Sequence, residues 1–213
     1  MGEQAFGVKV QTLPVGVLAT NCYLVHDPLS GEMLVIDPGA EPERLLSAIR
    51  ESGARVVAIV NTHGHWDHIG ANAAVKEATG APLLIHAADA GWLTDSAANR
   101  SALRPLPPVA SPSADRLLQE GEELPLGRHR LRVIHTPGHT AGGICLYLPG
   151  LLFSGDTLFA ESVGRTDLPG GSWTALRSSI REKLFALPVE TVVYPGHGPS
   201  TTIGDERSLN PYV

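Results

Sequence analysis

The stretch Thr62-His63-Gly64-His65-Trp66-Asp67-His68 places four metal-binding side chains within six residues. The apolar run before it, Val56-Val57-Ala58-Ile59-Val60, reads as a β-strand that ends at Asn61-Thr62. That puts the four groups on a loop at the strand's carboxyl edge, where α/β sheets hold their ligands. Imidazole and carboxylate are the usual ligands of zinc and non-haem iron. A merely polar surface turn has no need of three histidines and an aspartate able to face one centre.

Outward from this loop, short strands are expected at Val8–Leu13, Cys22–His26 and Met33–Ile36, the last two joined through Asp27-Pro28-Leu29-Ser30-Gly31, a hairpin-type turn. A helix near Glu41–Ser52, with Leu45, Leu46 and Ile49 on one face and Gly53 as its stop, leads into the Val56–Val60 strand. Gly70–Thr79 reads as a second helix and Pro82–His86 as a strand. The four prolines between Asn99 and Pro112 predict an irregular surface excursion that either shapes a site or only connects elements. Beyond it come strands near Leu131–His135, Ile144–Leu148 and Leu151–Ser154. A helix follows from about Ser172 to Ala186, capped by Ser172 and burying Trp173, Leu176, Ile180 and Leu184, and then a strand at Thr191–Tyr194. The two halves share an order of strands, helix, strand. This predicts an α/β (α+β) fold by pseudo-duplication: a four-layer αββα sandwich of two mixed sheets flanked by helices.

The chain has 213 residues, enough for one substantial core, and no linker divides it, so residues 1–213 are expected to form a single domain. It carries 16 basic and 22 acidic residues, a formal charge of −6, with no basic cluster tracking a phosphate backbone, which disfavours nucleic acid as a partner. Two divalent cations and one hydroxide would bring the charge to about −3 and make the site locally attractive to anions. Cys22 and Cys145 lie far apart in strand-like stretches, a pattern of buried thiols in a reducing compartment. Neither a secretory leader nor a membrane-spanning run is evident, so the expectation is a cytoplasmic protein without a membrane partner. Oligomeric state is not legible.

Three further candidate ligands follow a strand and a glycine: His139 in Thr136-Pro137-Gly138-His139, Asp156 in Ser154-Gly155-Asp156 and His197 in Pro195-Gly196-His197. Glycine lets a backbone turn tightly beside a metal. Together with His63-Gly64-His65-Trp66-Asp67-His68, these residues resemble the signature of the metallo-β-lactamase superfamily over about residues 20 to 213. The resemblance implies the αββα fold and two divalent cations, zinc before iron or manganese. One would be held by His63, His65 and His139, the second by Asp67, His68 and His197, with Asp156 bridging both.

Asp156, where β-lactamases commonly differ, argues for the hydroxyacylglutathione hydrolase (glyoxalase II) branch. Gly164-Arg165-Thr166-Asp167-Leu168-Pro169-Gly170-Gly171-Ser172 and the ending Ile203 to Tyr212 resemble its short single-domain members, without the helical glutathione-binding domain. A hydroxide shared by two cations is nucleophilic at neutral pH, and the same cations polarise a carbonyl. Asp67 and Asp156 are the expected catalytic carboxylates that orient it, and a thiolate leaves without a dedicated acid. The expected reaction is therefore hydrolysis of a small-molecule thioester such as S-lactoylglutathione.

Arg165 and Asp167 are either substrate contacts or a structural ion pair. Asp37, before Pro38-Gly39, is either a turn residue or a group supporting the ligands from behind. Trp66, Trp92 and Tyr147 read more simply as packing, and His26, His86 and His129 as ordinary strand or surface residues. His135, four residues before His139, stays undecided. The alternative activity is a persulfide dioxygenase with one iron on His63, His139 and Asp156, a triad suited to oxygen activation. A non-enzymatic binding module or a nuclease fits less well, since no ligand position is degenerate and no basic surface accompanies the site.

Overall fold

The computed structural model describes residues 3–5 by their backbone, and residues 7–103 and 107–213 in full. Its first sheet runs in chain order through β1 (Glu3–Ala5), β2 (Val8–Val15), β3 (Thr20–Asp27), β4 (Glu32–Ile36), β5 (Arg55–Val60), β6 (Leu83–His86) and β7 (Arg116–Leu118). The strands are antiparallel from β1 to β4 and parallel from β4 to β7. The second sheet has the order β15-β14-β11-β10-β9-β8, built from β8 (Glu123–Leu126), β9 (His129–His135), β10 (Ile144–Leu148), β11 (Leu151–Gly155), β14 (Val192–Pro195) and β15 (Thr201–Thr202). A small ribbon, β12 (Leu158–Phe159) with β13 (Ser162–Val163), stands apart from both.

Strand residues alternate between two apolar layers, which is why these strands are apolar almost throughout. Tyr23, Val25, Leu34, Ile36 and Val60 of the first sheet meet Val133, Leu146 and Phe153 of the second. The intervening Leu24, Met33, Val35 and Ile59 face outward, where Leu45 and Ile49 of helix α1 (Pro42–Ser52) and Val75 cover them. On the far side Ile134, Cys145, Leu152 and Val193 are covered by Leu176, Ile180, Leu184 and Ile203. These are the four layers expected from the sequence. In each half a helix joins parallel neighbours: α1 between β4 and β5, and the helical segment from Trp173 between β11 and β14. Both cysteines are buried and free.

Several elements differ from expectation. The ligand run is not wholly a loop, because Trp66–Ile69 forms a short helix α2, opened by the His68 N–H bonding to the His65 carbonyl at 3.0 Å, so Asp67 and His68 are helical. Helix α3 begins only at Asn72 and runs to Thr79. The expected helix over Ser172–Ala186 is α4 (Trp173–Ser178) continued by a π-helical stretch, Ser179–Leu184, in which the Phe185 N–H reaches the Ile180 carbonyl. Leu176, Ile180 and Leu184 are buried as expected, but Trp173 is 43% exposed. It shares the outward i, i+4 row with Arg177 and Arg181, which faces away from the stripe that meets the sheet.

The segment from Asn99 to Pro112 is not simply a surface excursion. Ser101–Leu103 forms a 3₁₀ turn, and Asn99 and Ser101 are fully buried. The Asn99 side-chain amide donates to the carbonyls of Trp92 (3.1 Å) and Val109 (3.0 Å), replacing the strand bonds that the prolines forbid. Pro105 lies outside the described residues. A helix α5 (Ile203–Leu209), capped by Thr202, and the short strands β1, β7, β8, β12, β13 and β15 were not expected. None of the described helices is long and apolar enough to cross a membrane.

Candidate metal centre

The seven candidate ligands follow the carboxyl ends of β5, β9, β11 and β14, which bring both sheets to one rim. His63, His65 and His139 offer nitrogens that converge, as do those of His63 and His68 with Asp156, and those of His68 and His197 with Asp67. Of the three glycines preceding ligands, Gly138 (φ 141°) and Gly155 (φ 50°) take conformations that disfavour a side chain, and a Cβ at Gly196 would strike the Asp156 carboxylate.

The outer partners of these histidines decide which nitrogen faces inward. His139 Nδ1 donates to the Arg165 carbonyl (2.8 Å) and His197 Nδ1 to the Leu18 carbonyl (3.1 Å), since a carbonyl only accepts. His63 Nδ1 lies 3.2 Å from the Thr62 hydroxyl, which spends its own proton on Asp37 Oδ2 at 2.6 Å. His63 Nε2 and His139 Nε2 are therefore lone pairs, and they stand 3.1 and 2.9 Å from His65 Nδ1. A single N–H on His65 Nδ1 can serve only one of these two acceptors fully, so the other is left without a donor. A tetrahedral cation with bonds of 2.0–2.1 Å spaces its ligands by about 3.3 Å, close to this arrangement. His68 Nε2 and Asp156 Oδ1 are buried at the centre without a hydrogen-bond partner, 3.4 Å from each other, as a shared cation would leave them.

Charge divides the centre in two. Burial, then the neighbouring imidazoles of His68, His139 and His65, lowers the His63 pKa. Burial with His139 takes His65 down to about 3, so both rings stay unprotonated. For His68 burial acts the other way, yet Asp67, Asp156 and Asp37 outweigh it and hold the ring up to about 10. Asp67 is likewise pressed up by burial but held below the usual carboxylate range by His68, His197 and Thr20, whose hydroxyl donates to Asp67 Oδ2 at 2.9 Å. Asp156 lies between the trios: Oδ1 is 3.4 Å from His68 Nε2, and Oδ2 is 3.6 Å from both His139 Nε2 and His197 Nε2.

Asp37 does support the ligands from behind, with Oδ2 2.9 Å from His68 Nδ1 and Oδ1 accepting from the Thr62 N–H at 2.7 Å. Arg165 and Asp167 form a bidentate pair, both contacts 2.7 Å, with side chains 61% and 66% exposed, so Arg165 touches the centre through its carbonyl. Trp92, expected in a core, stacks obliquely on His65 with ring centres 5.4 Å apart. Tyr147 is half-buried on the outer face of the second sheet under Arg132. His135 stays clear of the cluster and stacks on His86 at 4.0 Å. Thr20 carries no motif, and only folding brings it to the centre.

Two mixed sheets between helices, with a His/Asp cluster along their strand ends, define the class: the metallo-hydrolase superfamily. The chain belongs to the metallo-β-lactamase superfamily, whose family model matches residues 15–197. It is 40% identical to the probable metallo-hydrolase YqgX of Bacillus subtilis, over 97% of this chain and 98% of that protein. It is 35% identical, with the same coverage, to the hydroxyacylglutathione hydrolase GloC of Haemophilus influenzae. Among solved structures it resembles the BLEG-1 B3 metallo-β-lactamase (TM-score 0.91, 39% identity, 95% of this chain and 98% of that one). It also resembles TTHA1623 in a di-iron-bound form (0.87, 40%, 96% and 100%) and ETHE1 from Myxococcus xanthus (0.80, 30%, 95% and 83%).

Proposed function

We propose that this chain is a binuclear metal-dependent hydrolase of hydroxyacylglutathione-type thioesters, converting S-lactoylglutathione to lactate and glutathione. The observation that carries this reading is the convergence of three sets of donors at one rim, His63 with His65 and His139, His63 with His68 and Asp156, and His68 with His197 and Asp67, with His68 Nε2 and Asp156 Oδ1 buried there without a partner. His63, His65 and His139 would hold one cation and Asp67, His68 and His197 the other, with Asp156 between them. When bound, the cations would lower the pKa of water and polarise the scissile carbonyl. Zinc, iron and manganese all suit this nitrogen and oxygen donor set.

The chain's own residues do the rest. Asp67, steadied by Thr20, and Asp156 are placed to orient the attacking water and take up its proton. Asp37 keeps His68 turned inward, and Trp92 shields His65 from solvent. Arg165 and Asp167, exposed beside His139, are assigned to substrate contact. A thiolate is a weak base and departs without a protein acid. Likeness to GloC along nearly the whole of both chains supports the substrate class.

A second reading, one iron on His63, His139 and Asp156 oxidising a persulfide, is supported about as well by the likeness to ETHE1 and to the iron-bearing TTHA1623. The likeness to BLEG-1 weakens the argument from Asp156 against β-lactams, so these belong in the same assay. The test is metal content of protein as isolated, with thiol release from S-lactoylglutathione, oxygen uptake on glutathione persulfide and β-lactam hydrolysis measured side by side. Two metals per chain with thiol release are expected. One iron with rapid oxygen uptake would replace the hydrolase reading by the second, and turnover of β-lactam alone would remove both.

A further inference from the structure

Asp89 is a buried carboxylate that the chemistry above does not use. It sits in the 3₁₀ turn Ala87–Leu93 after β6, has no exposed surface, and makes no ion pair among the described residues. Its two oxygens go to different places. Oδ2 accepts the Gly64 N–H at 3.1 Å, between His63 and His65, and Oδ1 accepts the Gly142 N–H at 2.6 Å, three residues after His139. Gly64 belongs to the loop that leaves the first sheet at β5, and Gly142 to the loop between β9 and β10 of the second. One side chain therefore ties together the two loops that supply the first trio.

Both contact points lack a side chain, and the packing requires it. A Cβ on Gly142 would lie 2.6 Å from Asp89 Cγ, and one on Gly64 would lie 2.7 Å from Trp92 Cβ in the same 3₁₀ turn. A carboxylate taken out of water without a cation is costly, and two amide bonds offset only part of that cost. A cation held by His63, His65 and His139 would supply the opposite charge. The second trio has separate supports: Thr20 on Asp67, Asp37 on His68 and the Leu18 carbonyl on His197.

We propose that Asp89 is a positioning residue for the first cation, setting the distance between the turn that carries His63 and His65 and the loop that carries His139. This rests on reading the His63, His65 and His139 trio as a cation site. Its distinguishing consequence is selectivity: disturbing Asp89 weakens the first site and spares the second.

The test measures zinc affinity by chelator competition in two backgrounds. Asp67→Ala with His197→Ala leaves the first trio, and His65→Ala with His139→Ala leaves the second. Adding Asp89→Asn, which keeps the shape but turns an amide donor toward one of the two N–H groups, is expected to weaken zinc about 10- to 100-fold in the first background. In the second background affinity is expected to stay within about twofold, and circular dichroism of the metal-free proteins should match their parents. Equal losses in both backgrounds, or no loss in the first, overturn the proposal. If Asp89→Asn does not fold, Asp89→Glu keeps the charge while displacing the oxygens, and the same selective loss is required of it. Intact protein that binds no zinc would overturn the cation-centre reading itself, a failure visible before Asp89 is altered.

Discussion

Asp37 takes up both His68 and the Thr62 hydroxyl that steadies His63, so it bears on both trios from behind. Partners of this kind typically contribute 10- to 100-fold in metal affinity or activity. Asp37→Ala is expected to lose that much in a metal titration, and Asp37→Asn less, because it retains one acceptor and tolerates the left-handed backbone there (φ 50°). Cys145 makes a separate prediction about pH. Burial raises its thiol from 9.0 to about 11, above its unfolded value, so the stability it contributes is complete below pH 9 and is lost as pH rises through about 11. Urea unfolding between pH 8 and 11 should show this decline. Cys145→Ala should make it shallower without abolishing it, since burial raises Cys22 as well.

At the scale of elements, the helical segment covering the second sheet is held at its start by one cap and along its length by three side chains. Ser172 accepts the Ala175 N–H at 3.3 Å. Ser172→Ala is expected to cost about 1 kcal/mol in chemical denaturation, the usual value for a lost N-cap. Ile180→Ala, inside the π-helical stretch and fully buried, is expected to cost about 2–5 kcal/mol. A cost for Ile180→Ala no larger than that for Ser172→Ala would mean that the wide turn collapses onto the sheet and fills the space left.

For the molecule as a whole, the centre draws ligands from both sheets, so bound cations would act as a staple across the sandwich rim. Metal at about 100 times its dissociation constant stabilises by about 2.7 kcal/mol, worth about 5–10 °C for a chain of this size. Stripping with a chelator should lower the melting temperature by that amount, and added zinc should restore it. A protein whose melting point ignores both treatments would contradict a centre that spans the two sheets.

The amino-acid pattern alone was enough for the central strands of the two sheets and the two main covering helices, and it picked out seven groups that the fold brings to one rim, because strand periodicity and strand-turn-ligand order are local properties. It missed the short edge strands and α5, whose few residues pair only where a neighbour is already in place. It misplaced Trp173, because helical spacing cannot say which of two adjacent rows meets a sheet. The Asn99–Pro112 segment looked exposed since its bonds come from side-chain amides that prolines do not announce. Asp89 stands 25 and 53 residues from Gly64 and Gly142, whose N–H groups it accepts, and Thr20 stands 47 from Asp67, and no sequence signal links them. Local chemistry thus wrote the donor groups into the chain. Which nitrogen of each ring faces the centre, and which carboxylate lies behind it, was decided only when two distant sheets closed over one apolar core, since a hydrogen bond across that gap exists only once both sides are fixed.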